Sequence, residues 1–351
     1  MLLYIHIPFC DSKCHYCSFN SYVDKFDFRD SYAKAIIKQL KYELQRYSVH
    51  KQSIETIFIG GGTPSAMQAS LYQELFENIK PYIAKNAEIT TEANPNSASK
   101  SWLEQMKELG VNRVSFGVQS FDKDKLKYLG RNHSKEDAKN AIKNAYNAGI
   151  KNISLDLIHG CILDNKKLLQ NDLDIAFSLP INHISSYSLS IEKNTKFYIK
   201  KEKNNGNIKE EQWFYDQIIK KGFSQYEISN FGKYRSIHNL GYWKYKDYIG
   251  IGAGAVGFLQ NKRFYPYKNI EKYIKNPTFF DIENLSGKDI KTEKVFLGMR
   301  SIVGVNIDIF NKNELKKVKI LEKEGKIRHI NNIIFNNNYL LSDEISLFIL
   351  S

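Results

Sequence analysis

Short apolar runs alternate with amphipathic stretches along the first half of the chain. Leu2–Ile7 reads as a buried strand. Residues 28–47 set Ile36, Leu40, Leu44 and Tyr47 on one face at helical spacing. Residues 54–59 form a second apolar run, ending in Gly60-Gly61-Gly62. Residues 71–83 are helical, with Leu71, Leu75 and Ile79 aligned. The alternation continues as strand 87–92, helix 101–109 stopped by Gly110, strand 111–118 and helix 135–148 closed by Gly149. Strand 152–158, helix 167–177 and strand 183–189 complete it. Such β–α repetition implies a parallel sheet with helices outside. Six units are too few for the usual eight-stranded barrel. The expected fold class is therefore α/β, a partial (β/α)6 TIM-like barrel whose sheet is extended by later residues.

Three regions are expected. Residues 1–190 form the partial barrel. Residues 191–290 extend its sheet and carry an aromatic-rich stretch over 223–243. Residues 291–351 form a small α+β, winged-helix-like module: helix 293–300, a turn at Gly304, helix 312–325, and a strand pair over 327–335 and 339–341. Polar residues recur where barrel strands end: Cys10, Gly60 to Thr63, Glu92, Gln119 and Asp156. In a barrel those ends face one mouth, where ligands bind.

Hydrophobic residues make up 42% of the 351 positions and charged ones 25%, values that argue against disorder. No apolar run approaches the roughly 20 residues that span a bilayer. The opening residues lack the basic start and small-residue cleavage site of a secretion signal. A cytoplasmic protein is expected. Lys and Arg number 51 against 38 Asp and Glu, a net charge of +13. The lysines are scattered and no nucleic-acid-binding motif accompanies them, so no nucleic-acid partner is expected. A weak attraction for acidic ligands is all that the charge supports.

The four cysteines change the picture. Cys10, Cys14 and Cys17 lie together as C-x3-C-x2-C, whereas Cys161 follows an apolar strand and reads as a small buried hydrophobe. An odd cluster outside a secretory context points to metal rather than disulfides. Three thiolates on one short loop suit an iron–sulfur cube and leave one iron open for another ligand. The alternative is zinc with His15 or a distant histidine as fourth ligand, but the second half of a zinc site is missing.

Cys10, Cys14 and Cys17, with Tyr16 before the third cysteine, resemble the signature of the radical S-adenosylmethionine superfamily. The preceding Tyr4-Ile5-His6-Ile7-Pro8-Phe9 is similar to the opening of its oxygen-independent coproporphyrinogen III oxidase (HemN-like) group. That resemblance spans essentially the whole chain. It implies a 4Fe-4S cluster on the three cysteines and S-adenosylmethionine on the open iron, where an electron from the cluster releases a 5′-deoxyadenosyl radical. It also implies the cofactor contacts. Gly61, Gly62 and Thr63 would hold the amino group, Tyr4 and Tyr16 would lie near the adenine, and Glu92, Gln119, Arg131 and Asp156 would contact the rest. Gly160-Cys161-Ile162 departs from the group's usual Gly-Leu-Pro.

Within the group, porphyrinogen oxidases carry a fourth cysteine two places after the third, where this chain has Phe19. They also carry a long segment before the Tyr-x-His-x-Pro-Phe-Cys opening, which here starts at Tyr4. The haem-chaperone branch is the better match. It has Cys-x-Phe, as in Cys17-Ser18-Phe19, and a His-Asn-x-x-Tyr-Trp motif, as in His238-Asn239-Leu240-Gly241-Tyr242-Trp243. The resemblance thus implies haem as a ligand near His238, Tyr242 and Trp243, and an acceptor protein, membrane-associated ones included. Imidazole and phenolate both ligate haem iron, and aromatic faces suit its ring. A carrier is the expected role. A coproporphyrinogen III dehydrogenase and a radical methyltransferase are the alternatives. The catalytic residues, the iron ligand atom and the oligomeric state stay open.

Overall fold

The computed structural model describes residues 1–351. Its first half is a run of parallel strands, each followed by helix. The strands are β1 (Leu2–Ile7), β2 (Ile54–Gly61), β3 (Ile83–Ala93), β4 (Arg113–Gln119), β5 (Asn152–His159) and β6 (His183–Ser188). They pair in sequence order, each parallel to the next. The helices are α1 (Arg29–Arg46), α2 (Ser70–Ile79), α3 (Lys100–Glu108), α4 (Lys123–Leu129), α5 (Lys135–Asn147) and α6 (Lys166–Phe177). The strand and helix positions read from the pattern match those observed to within a few residues, with three larger differences in this half; the first is that β3 starts at Ile83 rather than 87. Helix α2 ends at Ile79 rather than 83, because Pro81 cannot continue it, and a 3-10 turn over Lys80–Tyr82 leads into β3. Helix α4 is an addition. Asp122 caps its start by accepting from the Lys125 N–H, and Gly130, at φ 74°, ends it in the left-handed region.

Strand periodicity divides the side chains into two sets. Leu3, Ile5, Ile7, Ile57, Ile59, Val114, Phe116, Ile153 and Leu155 face the helices and belong to the main core. The alternate residues face the barrel interior, which is polar: Thr56, Thr90, Arg113, Ser115, Ser154, His183 and Ser185 are all buried there.

The sheet is extended at both edges. Helices α7 (Lys196–Ile199) and α8 (Ile208–Lys220) lead to β7 (Ser224–Gln225) and β8 (Asn230–Gly232), and β8 pairs antiparallel with β6. Helix α9 (Ile237–Trp243) then crosses to the other edge, where β9 (Tyr248–Ile251) pairs parallel with β1. Strands β10 (Gly257–Leu259) and β11 (Lys262–Tyr265), helix α10 (Ile270–Lys275) and strand β12 (Asp281–Asn284) follow, the strands pairing antiparallel. The twelve-stranded order is β12-β11-β10-β9-β1-β2-β3-β4-β5-β6-β8-β7.

A second, smaller core lies in the tail, built on Val295, Met299, Val318, Leu321, Ile334, Ile345 and Ile349. It packs α11 (Gly287–Met299), β13 (Val305–Asn306), α12 (Lys312–Lys323), β14 (Ile327–Ile330), β15 (Ile333–Asn336) and α13 (Ser342–Leu350). The strand expected over 339–341 is a 3-10 turn instead, and the hairpin partner of β14 is β15. Asn331, at φ 54°, makes the tight turn between them. No helix is long and apolar enough to cross a membrane.

Candidate functional site

The carboxyl ends of β1 to β6 surround a cavity of about 440 Å³. Cys10, Cys14 and Cys17 line it from the loop after β1. So do Tyr16, Gly61, Gly62, Thr63, Glu92, Gln119, Arg131 and Asp156. The cavity therefore brings together the three candidate cluster cysteines and eight of the nine candidate S-adenosylmethionine contacts. Tyr4 does not line it. Its side chain lies deeper in the barrel, where the hydroxyl donates to His6 Nδ1 (3.0 Å) and the ring packs on Phe58.

The cysteine loop is strapped down on both sides. The Cys10 N–H donates to the Tyr22 carbonyl (3.0 Å) and the His15 N–H to the Leu129 carbonyl (3.0 Å). His15 Nδ1 donates to the Tyr128 carbonyl (2.8 Å), which leaves Nε2 to accept from Lys196 Nζ (2.8 Å). His6 Nε2 donates to the Asn20 carbonyl (2.8 Å), and Lys13 Nζ donates to Phe19 O and Ser21 Oγ, both at 2.6 Å. His15 is thus a strut of the loop. No three His, Cys, Asp or Glu side chains gather as ligands of one metal ion would. Three cysteines presented to one cavity from a single loop suit the irons of a cube. Burial pushes the Cys10 and Cys17 thiols up, so a cation is needed to hold the thiolates. Cys161 is fully buried among Leu129, Ile158, Leu189 and Phe197, and burial pushes its thiol up to about 12.

The glycine turn that ends β2 has to be glycine. Gly61 sits at φ 112°, and a Cβ there would meet His6 at 2.5 Å. A Cβ on Gly62 would meet the Phe9 carbonyl at 2.8 Å and Cys10 Sγ at 3.0 Å. The Gly61 N–H donates to Glu92 Oε2 (3.1 Å). Glu92 is pushed up to about 7, first by burial and then by Asp156. Burial also raises Asp156, opposed by hydrogen bonds from Ser185 and Ser115. Gln119 is held at φ 67°, a strained value for a side-chain-bearing residue. Carboxylates beside exposed amide groups can bind hydroxyl and ammonium groups of a small polar ligand. Asn94 and Tyr187 also line the cavity, and neither stood out in the sequence.

His238, Tyr242 and Trp243 lie elsewhere. Their segment is the helix α9, which packs against the amino ends of the strands rather than joining the sheet. A Cβ on Gly241 would meet Leu2 at 2.4 Å, so the helix sits directly on the start of β1. His238 is 1% exposed. Its Nδ1 shares a hydrogen bond with Thr56 Oγ1 (2.8 Å) and its Nε2 with the Tyr242 hydroxyl (2.9 Å). Burial and then Arg113 push it down to about 3, so the ring is neutral. On the outer side, Tyr242, Tyr245, Tyr248 and Phe258 wall a second cavity of about 240 Å³, with Arg263 and Lys246 at its edge.

Comparison with known proteins adds to this geometry. The Radical SAM superfamily pattern matches residues 4–173. The protein named Heme chaperone HemW from Bacillus subtilis is 35% identical over 86% of this chain and 84% of its own length. Its Escherichia coli namesake is 39% identical over 73% of this chain and 69% of its own. Among solved structures, coproporphyrinogen III oxidase (HemN) from Escherichia coli superposes with a TM-score of 0.83 at 18% identity, covering 100% of this chain and 90% of that one. That likeness speaks to the fold. The cysteine loop, the glycine loop and the identities together place the chain in the radical S-adenosylmethionine superfamily, in its HemN-like group, and there in the HemW family.

Proposed function

We propose that this protein is a cytoplasmic haem carrier that passes haem to an acceptor protein, and that it holds a 4Fe-4S cluster and S-adenosylmethionine at the barrel mouth. The observation carrying the reading is the similarity, over most of the chain, to several proteins named haem chaperones. Cys10, Cys14 and Cys17 would ligate the cluster. Gly61, Gly62, Thr63, Glu92, Gln119, Arg131 and Asp156 would hold S-adenosylmethionine. When bound, the pair supplies one-electron cleavage of a sulfonium. The chain's own part is to bind, orient and shield, with Glu92 and Asp156 placed to accept from hydroxyl or ammonium groups.

The haem contacts are assigned to His238, Tyr242 and Trp243. Tyr242 forms part of the aromatic cavity, and its hydroxyl already bonds His238. Ligation of iron by either residue therefore has to break that bond, and His238, buried and absent from the cavity wall, has also to be uncovered. Phe19, 67% exposed at the rim of the mouth, stands where an oxidase has its fourth cysteine. The test is anaerobic reconstitution, then haem titration by absorbance beside a coproporphyrinogen III turnover assay. About one haem per chain and no decarboxylation are expected, with affinity falling at least tenfold in His238→Ala. Robust decarboxylation overturns the carrier reading in favour of the dehydrogenase.

A further inference from the structure

Asn94 follows β3 and its side chain faces the mouth. Its Oδ1 accepts from Arg131 Nη2 at 2.8 Å, and its Nδ2 donates to Thr63 Oγ1 at 3.1 Å. A guanidinium can only donate, so this orientation of the amide is the one the neighbours require. Two consequences follow for the cysteines. Thr63 has one hydroxyl proton. Because Thr63 accepts from Asn94, that proton is free to point at Cys10 Sγ, 3.5 Å away. Arg131, fixed by Asn94 and by the Gly117 carbonyl (2.6 Å), turns Nη1 onto Cys14 Sγ at 3.3 Å. One amide thus orders a chain running Cys14–Arg131–Asn94–Thr63–Cys10. The Asn94 N–H is itself tied to Ser65 Oγ (3.1 Å), and its carbonyl accepts from the Ser97 and Ala98 N–H groups.

We propose that Asn94 is a positioning residue for the cluster, directing one hydrogen bond onto each of two ligand sulfurs through Thr63 and Arg131. The inference rests on the reading that Cys10, Cys14 and Cys17 hold a 4Fe-4S cluster. Hydrogen bonds to ligand sulfurs favour the more negative, reduced cluster and so raise its potential. In Asn94→Asp the side chain has no N–H to give. It recruits the Thr63 proton to itself, strips Cys10 of its donor and adds negative charge.

The experiment is a dithionite titration of reconstituted protein, in which one electron enters the cluster and electron paramagnetic resonance reads the reduced fraction. Asn94→Asp is expected to lower the reduced-to-oxidised ratio at fixed potential at least tenfold, equivalent to ~59 mV for one electron. Thr63→Val, which keeps the shape and loses the hydroxyl, shifts it the same way by about threefold. Thr63→Ser, which keeps the hydroxyl, stays with the parent. Iron and sulfide are measured on every sample. Full cluster content with unmoved potentials in Asn94→Asp and Thr63→Val overturns the inference. If Asn94→Asp fails to assemble a cluster, the Thr63→Val and Thr63→Ser pair still decides. Absence of a four-iron cluster from the parent instead overturns the reading beneath it.

Discussion

Glu227 is a buried acid at the junction of the barrel and the tail module. Around it, the Ile228 N–H donates to the Arg300 carbonyl (2.8 Å) and the Ile302 N–H to the Tyr226 carbonyl (2.9 Å). Its Oε1 has no partner, and burial pushes the carboxyl up to about 7. The sign follows from linkage. Between about 4.5 and 7 the folded chain holds a proton here that the unfolded chain has released, so stability falls as pH rises through that window. A displacement of that size is worth at most ~3.4 kcal/mol at 1.36 kcal/mol per unit. Glu227→Gln is therefore expected to match the parent at pH 4 and exceed it by about 1–3 kcal/mol at pH 8, read by denaturant unfolding. His133 and His159, held neutral by burial, work in the opposite direction at lower pH. They are common to both proteins and cancel in the difference. A second residue-level contrast concerns thiols. Cys161→Ala should keep full iron after reconstitution, whereas Cys14→Ala should lose it. Iron loss confined to the Cys161 variant would contradict the ligand assignment.

Helix α9 shows how much an element can owe to its surroundings. Glu88, on β3, accepts from the Ile237 N–H (2.9 Å) and the His238 N–H (3.0 Å), and also from the Tyr234 hydroxyl (2.8 Å). Ser236 adds a side-chain cap to the Asn239 N–H (3.3 Å). Removing a buried acceptor of several donors is expensive, because each is left unsatisfied. Glu88→Ala is expected to lose about 3 kcal/mol and to speed amide exchange over residues 237–243 ahead of the rest of the barrel. Protection unchanged there would mean that Glu88 does not hold the helix. This dependence explains why α9 was illegible in the sequence. Its seven residues include a glycine and present no apolar stripe, so the segment read as part of an extended sheet. The long helices and strands were legible because periodicity marks which face is buried. The site divides the same way. The cysteines and the glycine loop announce themselves by spacing, whereas Asn94 matters only through Arg131 and Thr63, partners brought to it by the fold. Tyr4 belongs to a motif shared with the mouth, yet two residues of strand carry it a layer below His6.

The whole molecule separates its two candidate ligand regions. The cysteines and the glycine loop stand at the carboxyl ends of the strands, and α9 stands at the amino ends. Strand β1, of six residues at about 3.3 Å each, spans roughly 20 Å between them. The intervening barrel is filled, with Arg113, Thr90, Ser154 and His183 buried along it. Arg113 makes only one long hydrogen bond, to Thr90 Oγ1 (3.5 Å), and its Nε has no partner. Haem held beside α9 is therefore out of van der Waals reach of an adenosyl group held beside Glu92 and Asp156. A radical formed at the mouth cannot abstract hydrogen from a macrocycle that far away through packed protein. Haem carried here should pass through unaltered. The check is to incubate haem-loaded, reconstituted protein with S-adenosylmethionine and dithionite, extract the macrocycle under acid and weigh it by mass spectrometry. Unmodified haem is expected whether or not 5′-deoxyadenosine accumulates. A macrocycle that has gained an adenosyl group or lost carbon dioxide would place the porphyrin at the mouth and make haem a substrate. On the proposed reading, with haem beside α9, the same separation would leave haem affinity independent of the cluster. Cys17→Ala should abolish the cluster while changing haem affinity by less than about threefold, which at ~0.6 kcal/mol is smaller than the loss of any one ligand bond.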